Sequence, residues 1–502
     1  MKTKTTVLFA SALLLALPAS LLSCGEAAAA PTPDTAAPMS DSETAAGQEE
    51  TKLYSDTLTF SDFGQAEFRI YTSNNINGLE YPTTLNHGAE ETGEVVNDAL
   101  YARDRWMEEK YNVKMVYDMD ETTAAAQMAG KLSKIIMAGD DTYDLIIQDV
   151  AQAAKDLIAK NCVYPLSYID TVNLDADYWM PSLNNDLRLA GDLYYSASAV
   201  SPRFYGSVYV IQFNRDIASE LDIEDLYTTV QDGRWTLDKL YTLSRQAAAD
   251  MDGDGKMTEE DRFGMIYEVL TPEAMVLGAG MHYVQNVNGE LQSMLEDPKL
   301  VSLMQEMAAF FGEPCVAYDG GTKVDGEKLL NNGHYLFRNP CTFDLASYRD
   351  LPYDYGILPM PKLDEAQKAY YAYTQPWATA CPVVPITVTG ERLSMTGTLT
   401  DAMAAYGYDY VRPAVFDNVI QLKGTRDERS GQIIDMIFEN VTFELSTILK
   451  FGSLYTTTTS YFTGGLGKKD ITTLYASIKD KSEAEIDKIM TRLADFKAEL
   501  NG

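Results

Sequence analysis

Between Phe68 and Ile147 the chain alternates strand-like and helix-like apolar patterns, and this alternation limits its fold more than any other feature. Phe68-Arg69-Ile70-Tyr71 reads as a strand that ends in the polar loop Thr72-Ser73-Asn74-Asn75. Val95 to Tyr111 reads as a helix, with Ala99, Ala102 and Trp106 on one flank and Val96, Leu100 and Met107 beside them. Val113, Met115 and Tyr117 alternate as a second strand. Met128, Leu132, Ile135 and Ile136 have helical spacing up to Gly139, and Leu145-Ile146-Ile147 is a short apolar strand. Strands alternating with helices imply an α/β fold whose sheet is mainly parallel and covered on both faces. Ligands of such sheets sit outside the carboxyl ends of the strands. Asn74, Asn75, Gln148 and Asp149 are therefore candidate ligand-binding residues.

Further along, Leu193 to Ser198 and Ser207 to Phe213 are strand-like and flank a polar turn, Ser201-Pro202-Arg203. Asn288-Gly289 is a hairpin signal between Tyr283-Val284 and Leu291. Asp297-Pro298 starts a helix, with Asp as N-cap and Pro in the first turn. A length of 502 residues exceeds a single ordinary core and points to two lobes plus tails.

The N-terminus carries an address. Lys2 and Lys4 precede the apolar stretch Val7 to Leu22, which closes on Leu21-Leu22-Ser23-Cys24-Gly25. Residues 1–23 read as a secretory signal peptide, and Cys24 as the lipidated first residue of the mature chain. Residues 24–54 then form a tether: the part from Gly25 to Lys52 is rich in Ala, Pro, Thr, Ser and Glu, lacks aromatic residues and cannot bury enough apolar surface to offset its ordering entropy. No second apolar run approaches the about 20 residues that span a bilayer, so the only membrane attachment expected is the lipid anchor, on the outer face of the cell membrane. Lys plus Arg total 40 against 74 Asp plus Glu, a net charge of -34, which argues against nucleic acid and anionic surfaces as partners.

The strongest chemical motif is Asp250-Met251-Asp252-Gly253-Asp254-Gly255-Lys256-Met257-Thr258-Glu259-Glu260-Asp261. It matches the calcium loop of helix–loop–helix sensors, and Ca²⁺ demands about six to eight oxygen ligands. Asp250, Asp252 and Asp254 supply carboxylates, Gly255 permits the sharp turn, Lys256 offers its backbone carbonyl, and Thr258 acts through water. The last position carries Asp261 instead of the usual bidentate Glu. Thr236 caps a helix entering the loop, but Phe263 to Tyr267 beyond it is strand-like, so a structural ion is expected rather than a sensor.

Catalytic signatures are missing. His87, His282 and His334 are the three histidines, and no metalloprotease or nucleophile-elbow motif accompanies them. A glycosidase needs only two acids, but among 74 acids a pair can always be chosen, so that choice carries no information. Cys162, Cys315, Cys341 and Cys381 lack metal or redox spacing. Outside the cell they could pair in disulfides, yet a chain of this size needs no staples, and buried thiols are the expectation. The 32 Tyr and 4 Trp are the better clue, because sugar rings stack their apolar faces on aromatic planes. Trp377, in Thr374-Gln375-Pro376-Trp377 ahead of a strand at Cys381 to Ile386, is the preferred platform over Trp179 and Trp235.

Several segments, in order, resemble the extracellular solute-binding proteins of family 1, the group that includes maltose-binding protein. They are Asp144-Leu145-Ile146-Ile147, Val208 to Arg215, Arg234-Trp235-Thr236-Leu237-Asp238-Lys239-Leu240 and Tyr355-Gly356-Ile357-Leu358-Pro359-Met360-Pro361. The resemblance implies a two-lobed, type II periplasmic-binding-protein-like fold with hinge strands and an interlobe cleft. By analogy, lobe 1 is 55–195 plus 380–412 and lobe 2 is 196–379 plus 413–502. It implies a non-enzymatic monomer that captures a solute, most often a sugar or oligosaccharide, for the permease subunits of an ABC importer. A secreted, calcium-stabilised glycoside hydrolase is the alternative, and a surface adhesion module would require a second calcium loop, which is absent.

Overall fold

The computed structural model describes residues 53–72, 86–119, 125–287, 289–321, 324–421, 424–466 and 468–501. The signal peptide, Cys24, nearly all of the tether, Asn74, Asn75 and Asn288 lie outside them. Leu53 and Tyr54, read with the tether on composition, belong to the folded part. The Tyr54 backbone N–H donates to Asp409 (3.2 Å) and its hydroxyl to Asp177 (2.7 Å), while its ring meets those of Tyr178 and Tyr408 edge-on.

In chain order the strands are β1 (Ala66–Thr72), β2 (Val113–Met119), β3 (Leu145–Asp149), β4 (Ile211–Asn214), β5 (Phe263–Tyr267), β6 (Val284–Val287) and β7 (Glu290–Ser293). They continue as β8 (Val316–Tyr318), β9 (Tyr335–Arg338), β10 (Tyr355–Leu358), β11 (Ala372–Tyr373), β12 (Ala380–Val383) and β13 (Val441–Thr442). The helices that matter below are α1 (Val95–Tyr111), α2 (Ala125–Met137), α3 (Leu237–Ala247), α4 (Thr271–Gly278), α5 (Pro298–Phe311), α6 (Glu391–Tyr406), α7 (Glu428–Glu439), α8 (Leu445–Leu449) and α9 (Ile471–Asn501).

Two main sheets result. The first has the order β12-β3-β1-β2, with β1 parallel to β2 and β3, and β12 antiparallel to β3. The second has the order β10-β4-β9-β5-β8 and mixes parallel and antiparallel pairs. Both faces of the first sheet are covered. Phe68, Ile70, Leu145 and Ile147 bury one face in a cluster with Met107, Tyr111, Leu399 and Met403. Tyr71 and Ile146 share the other cluster with Val96, Leu100, Leu132 and Ile136. A period of two along each strand, answered by helical periods in α1 and α2, produces this sandwich.

The helix at Val95 to Tyr111 and the strands at Val113, Leu145 and Phe263 follow the sequence pattern closely. Two expectations fail. Leu193 to Ser198 forms no ladder: Leu193, Tyr194, Tyr195, Ala197 and both serines are buried on all sides, which satisfies an apolar run without strand pairing. The strand expected from Ser207 narrows to Ile211–Asn214, with Val208 and Tyr209 making only isolated bridges to Thr374 and Cys341. The four described cysteines are unpaired and buried.

Helix α9 closes the chain. It packs against the positive-φ turn at Gly452 (φ +56°), whose N–H donates to Glu485 (2.7 Å). A Cβ at Gly452 would lie 2.3 Å from the Ser482 hydroxyl and 2.5 Å from the Ser482 nitrogen. Gly452→Ala therefore combines a left-handed backbone with overpacking and is expected to lower stability by about 2 kcal/mol or more, read from urea unfolding.

Candidate functional site

The chain passes between the two sheets three times. It leaves the first after Asp149 and enters the second at Ile211, returns from Leu358 to Ala380, and leaves again from α6, which packs on α1, to α7, which packs on β10. The first two crossings run side by side. Tyr209 N–H donates to the Tyr373 carbonyl (2.8 Å), Gln375 N–H to the Ser207 carbonyl (3.0 Å), and Val208 bridges Thr374. The Ser201-Pro202-Arg203 turn is not a surface turn. Ser201 and Arg203 are buried, and the Arg203 guanidinium donates to the Ala378 carbonyl (2.8 Å) and pairs with Asp149 at the end of β3. The loop from Gln375 to Thr379 is also held from the first sheet, through Val150 N–H to Thr379 O (2.9 Å) and Ala151 N–H to Pro376 O (3.0 Å).

This loop presents Trp377, which is only partly buried. The Tyr455 ring lies against it (centroids 4.8 Å apart), and the Lys450 ammonium sits 5.7 Å from the indole centroid. Tyr209 and Tyr373 stack at 5.6 Å nearby in sequence and pairing. At the carboxyl end of β5, Glu268 remains reachable by solvent, and burial pushes its carboxyl up to about 8 against the pull of the Arg338 guanidinium. Glu273, on α4, is buried and accepts from the Thr447 hydroxyl; burial pushes it up to about 8 as well. Arg338, at the end of β9, pairs with Asp319 (3.0 Å) and faces the Tyr348 ring. Among the described residues, the buried Thr72 hydroxyl at the end of β1, the Gln152 carbonyl oxygen just after β3 and the Tyr195 hydroxyl have no protein partner. Polar atoms so placed call for water or a ligand. Aromatic planes, carboxyls and a guanidinium beside the crossings can stack a sugar ring and bond its hydroxyls.

The sequence-based candidates divide accordingly. Trp377 joins the aromatic group. Gln148 and Asp149 are 2% and 4% exposed, and the Asp149 carboxylate is committed to Arg203, so it positions the loop of Trp377. Burial raises the Asp149 carboxyl despite that partner. Glu268, Glu273, Arg338 and Tyr455 escaped sequence reading because no local spacing marks them. The histidines are scattered among separate partners: His87 on Asp104 (2.8 Å), His282 beside Glu444 (3.6 Å) and His334 on the Glu259 carbonyl (3.3 Å).

The acidic loop lies between α3 and β5, as its flanks suggested, and a two-way backbone pair between Ala249 and Arg262 (2.9 and 3.0 Å) closes its base. Carboxylate oxygens of Asp250, Asp252 and Asp254 lie within 4.8 Å of one another, all exposed. Gly255 takes φ +81°, which a side chain would strain. Lys256 N–H donates to Asp254 (2.8 Å). The buried Asp261 carboxylate accepts from the N–H groups of Thr258 and Met251 (2.8 Å each), which hold it below the usual carboxylate range. Asp261 thus ties the loop to itself.

No family model matches the chain, and no curated protein matches it in sequence. Solved structures do. UspC of M. tuberculosis superposes with a TM-score of 0.55 at 13% identity, covering 84% of this chain and all (100%) of that one. The GacH receptor of Streptomyces glaucescens, solved unliganded and with acarbose, gives 0.53 at 12% over 84% and 99%. An ABC substrate-binding protein of Listeria monocytogenes in complex with cycloalternan gives 0.52 at 12% over 86% and 99%. The chain has the type II fold of ABC solute-binding proteins. The three crossings join the two sheets, with Trp377 in the loop of the second crossing and Glu268 and Arg338 at the carboxyl ends of β5 and β9.

The two raised carboxyls make a pH prediction. Each holds its proton in the folded state up to about 8, whereas the unfolded group loses it near 4.5. Their contribution is full below the unfolded value and is lost as pH rises through the folded one. Glu273→Gln is expected to flatten the fall in melting temperature between pH 5 and 8.5, in a pH series of thermal melts, and to melt higher than the parent at the upper end.

Proposed function

We propose that this chain is an extracellular solute-binding lipoprotein that captures a carbohydrate or oligosaccharide and delivers it to the permease subunits of an ABC importer. The observation that carries the reading is a solute-binding fold whose crossings hold a partly exposed Trp377 against Tyr455, with Glu268 and Arg338 at strand ends of the second sheet. A solute touching both bodies favours the arrangement in which both touch it, and the importer reads that arrangement. Cys24 carries the lipid anchor, the tether lifts the folded part from the membrane, and the protein works as a monomer without catalysis. That no described helix is long and apolar enough to cross a membrane accords with attachment by lipid alone.

The test is a thermal-shift screen across mono- and oligosaccharides. A bound sugar at about one hundred times its Kd adds about 2.7 kcal/mol and raises Tm by a few degrees. Trp377→Ala weakens that sugar about tenfold in titration calorimetry. A screen in which no sugar stabilises, while peptides or polyamines do, rejects the carbohydrate; release of reducing ends from the same oligosaccharides would instead mark a hydrolase.

We propose also that the Asp250–Asp261 loop holds a structural Ca²⁺ through Asp250, Asp252, Asp254, the Lys256 carbonyl and a Thr258-held water, with Asp261 bracing the loop. The convergence of three exposed carboxylates at a glycine turn supports it. Chelator is expected to lower Tm, Asp250→Asn to remove that sensitivity, and Lys256→Ala to leave it intact, since only backbone oxygen is used there.

A further inference from the structure

The two sheets are joined by more than the three crossings. The β6–β7 hairpin belongs with the second sheet, since it sits between α4 and α5, and α5 packs on α4 and β8. At its tip the Asn286 amide donates to the Arg188 carbonyl (2.5 Å). The stretch around Arg188 belongs with the first sheet: Leu193 N–H donates to Ser167 (3.2 Å), and nearby Tyr164 N–H to Val384 (2.9 Å), next to β12.

Helix α9 straddles the same divide. Its first half is seated on the hairpin side, with Lys479 on Glu296 (2.7 Å) and the rings of Tyr475 and Tyr283 meeting edge-on. Its last turns reach the first-sheet side. Arg492 donates to the Ala159 carbonyl, Lys497 pairs with Asp192 (2.8 Å), and the Tyr168 hydroxyl donates to the Leu500 carbonyl. Leu493 and Phe496 are buried on this distal half. Between the three parts lies an open recess of about 650 Å³, bordered by Ala190 and Gly191, by Gly289 and Glu290, and by Asp487 and Met490 of the helix.

We propose that the hairpin tip and the distal half of α9 form a detachable latch between the two sheet bodies. A joint with an open recess at its centre lacks there the interlocked packing of a protein interior, and beside the buried Leu493 and Phe496 its rim is held by single polar contacts. Any hinge motion about the crossings displaces Arg188–Asp192 relative to Asn286, Gly289 and Glu290, because these belong to different bodies. Helix α9 is continuous and seated by its buried first half, so its distal end is the part that lets go. Contacts made in one arrangement only bias the population toward it, and the affinity of a solute that prefers one arrangement changes by the same factor. The purpose of the latch rests on the importer reading; its existence does not.

The test is made without solute. In the full chain with Cys24→Ser, dyes are placed at Glu109→Cys on α1 and Glu327→Cys near the second sheet, both exposed, while the four remaining thiols are buried. Single-molecule energy transfer is expected to show that Asn286→Ala combined with Lys497→Glu raises the population of a second arrangement about threefold or more, and that Lys497→Arg keeps the parent distribution. If the combined variant fails to melt cooperatively, Lys497→Glu alone, at a half-buried residue, is compared in the same way. A distribution identical to the parent's overturns the latch and leaves sugar capture standing; a sugar screen without hits, beside a shifted distribution, does the reverse.

Discussion

The arrangement of this molecule turns on one buried ion pair. Arg203 and Asp149 are 2% and 4% exposed, and neither charge could remain there alone. Removing one partner of such a pair typically costs about 3–5 kcal/mol, because the other is left buried and uncompensated. The guanidinium also bonds the Ala378 carbonyl, so a single side chain from the first crossing joins the end of β3 to the second crossing. The backbone bonds from Val150 and Ala151 then fix the loop on its other side. Trp377 stands one residue before Ala378, and its placement follows from this anchor.

How far the sequence could be read depends on the range of the forces involved. Local pattern sufficed for α1 and β2, where burial repeats about every 3.6 or 2 residues, for β5, an apolar run buried throughout, and for caps such as Asp297, whose carboxylate accepts from the N–H groups of Lys299 and Leu300. It misled at Leu193 to Ser198, where burial from every side imitates a strand. It read Ser201-Pro202-Arg203 as a polar turn without its burial, because a charge beside Ser and Pro gives no hint of a carboxylate waiting at Asp149. The acids of the site were invisible for a related reason. Glu268 and Glu273 owe their raised carboxyls to burial among groups remote in sequence, against the opposing pull of Arg338 and Tyr209 on the first and of Thr447 on the second.

Strand β5 connects two of these features. At its start, Phe263 follows the acidic loop that Asp261 and the Ala249–Arg262 pair draw tight. At its end, Tyr267 hands the chain to Glu268. All five of its residues are buried, and it is paired on both edges, with β9 and β8. The proposed Ca²⁺ would therefore brace one end of a rigid rod whose other end presents a carboxyl to the candidate site.

The order of the first sheet bears on how the chain is made. Strand β3, built of Leu145, Ile146 and Ile147 without an exposed side chain, takes β12 as its outer neighbour, and β12 arrives only with Ala380 to Val383. While the intervening chain is being delivered, that edge has unpaired backbone groups and bare aliphatic side chains, the features that recruit foreign strands. Under the proposed extracellular role this hazard is met outside the cell, and the order of the sheet then rewards any newborn N-terminal half that reaches the missing strand before a foreign one does.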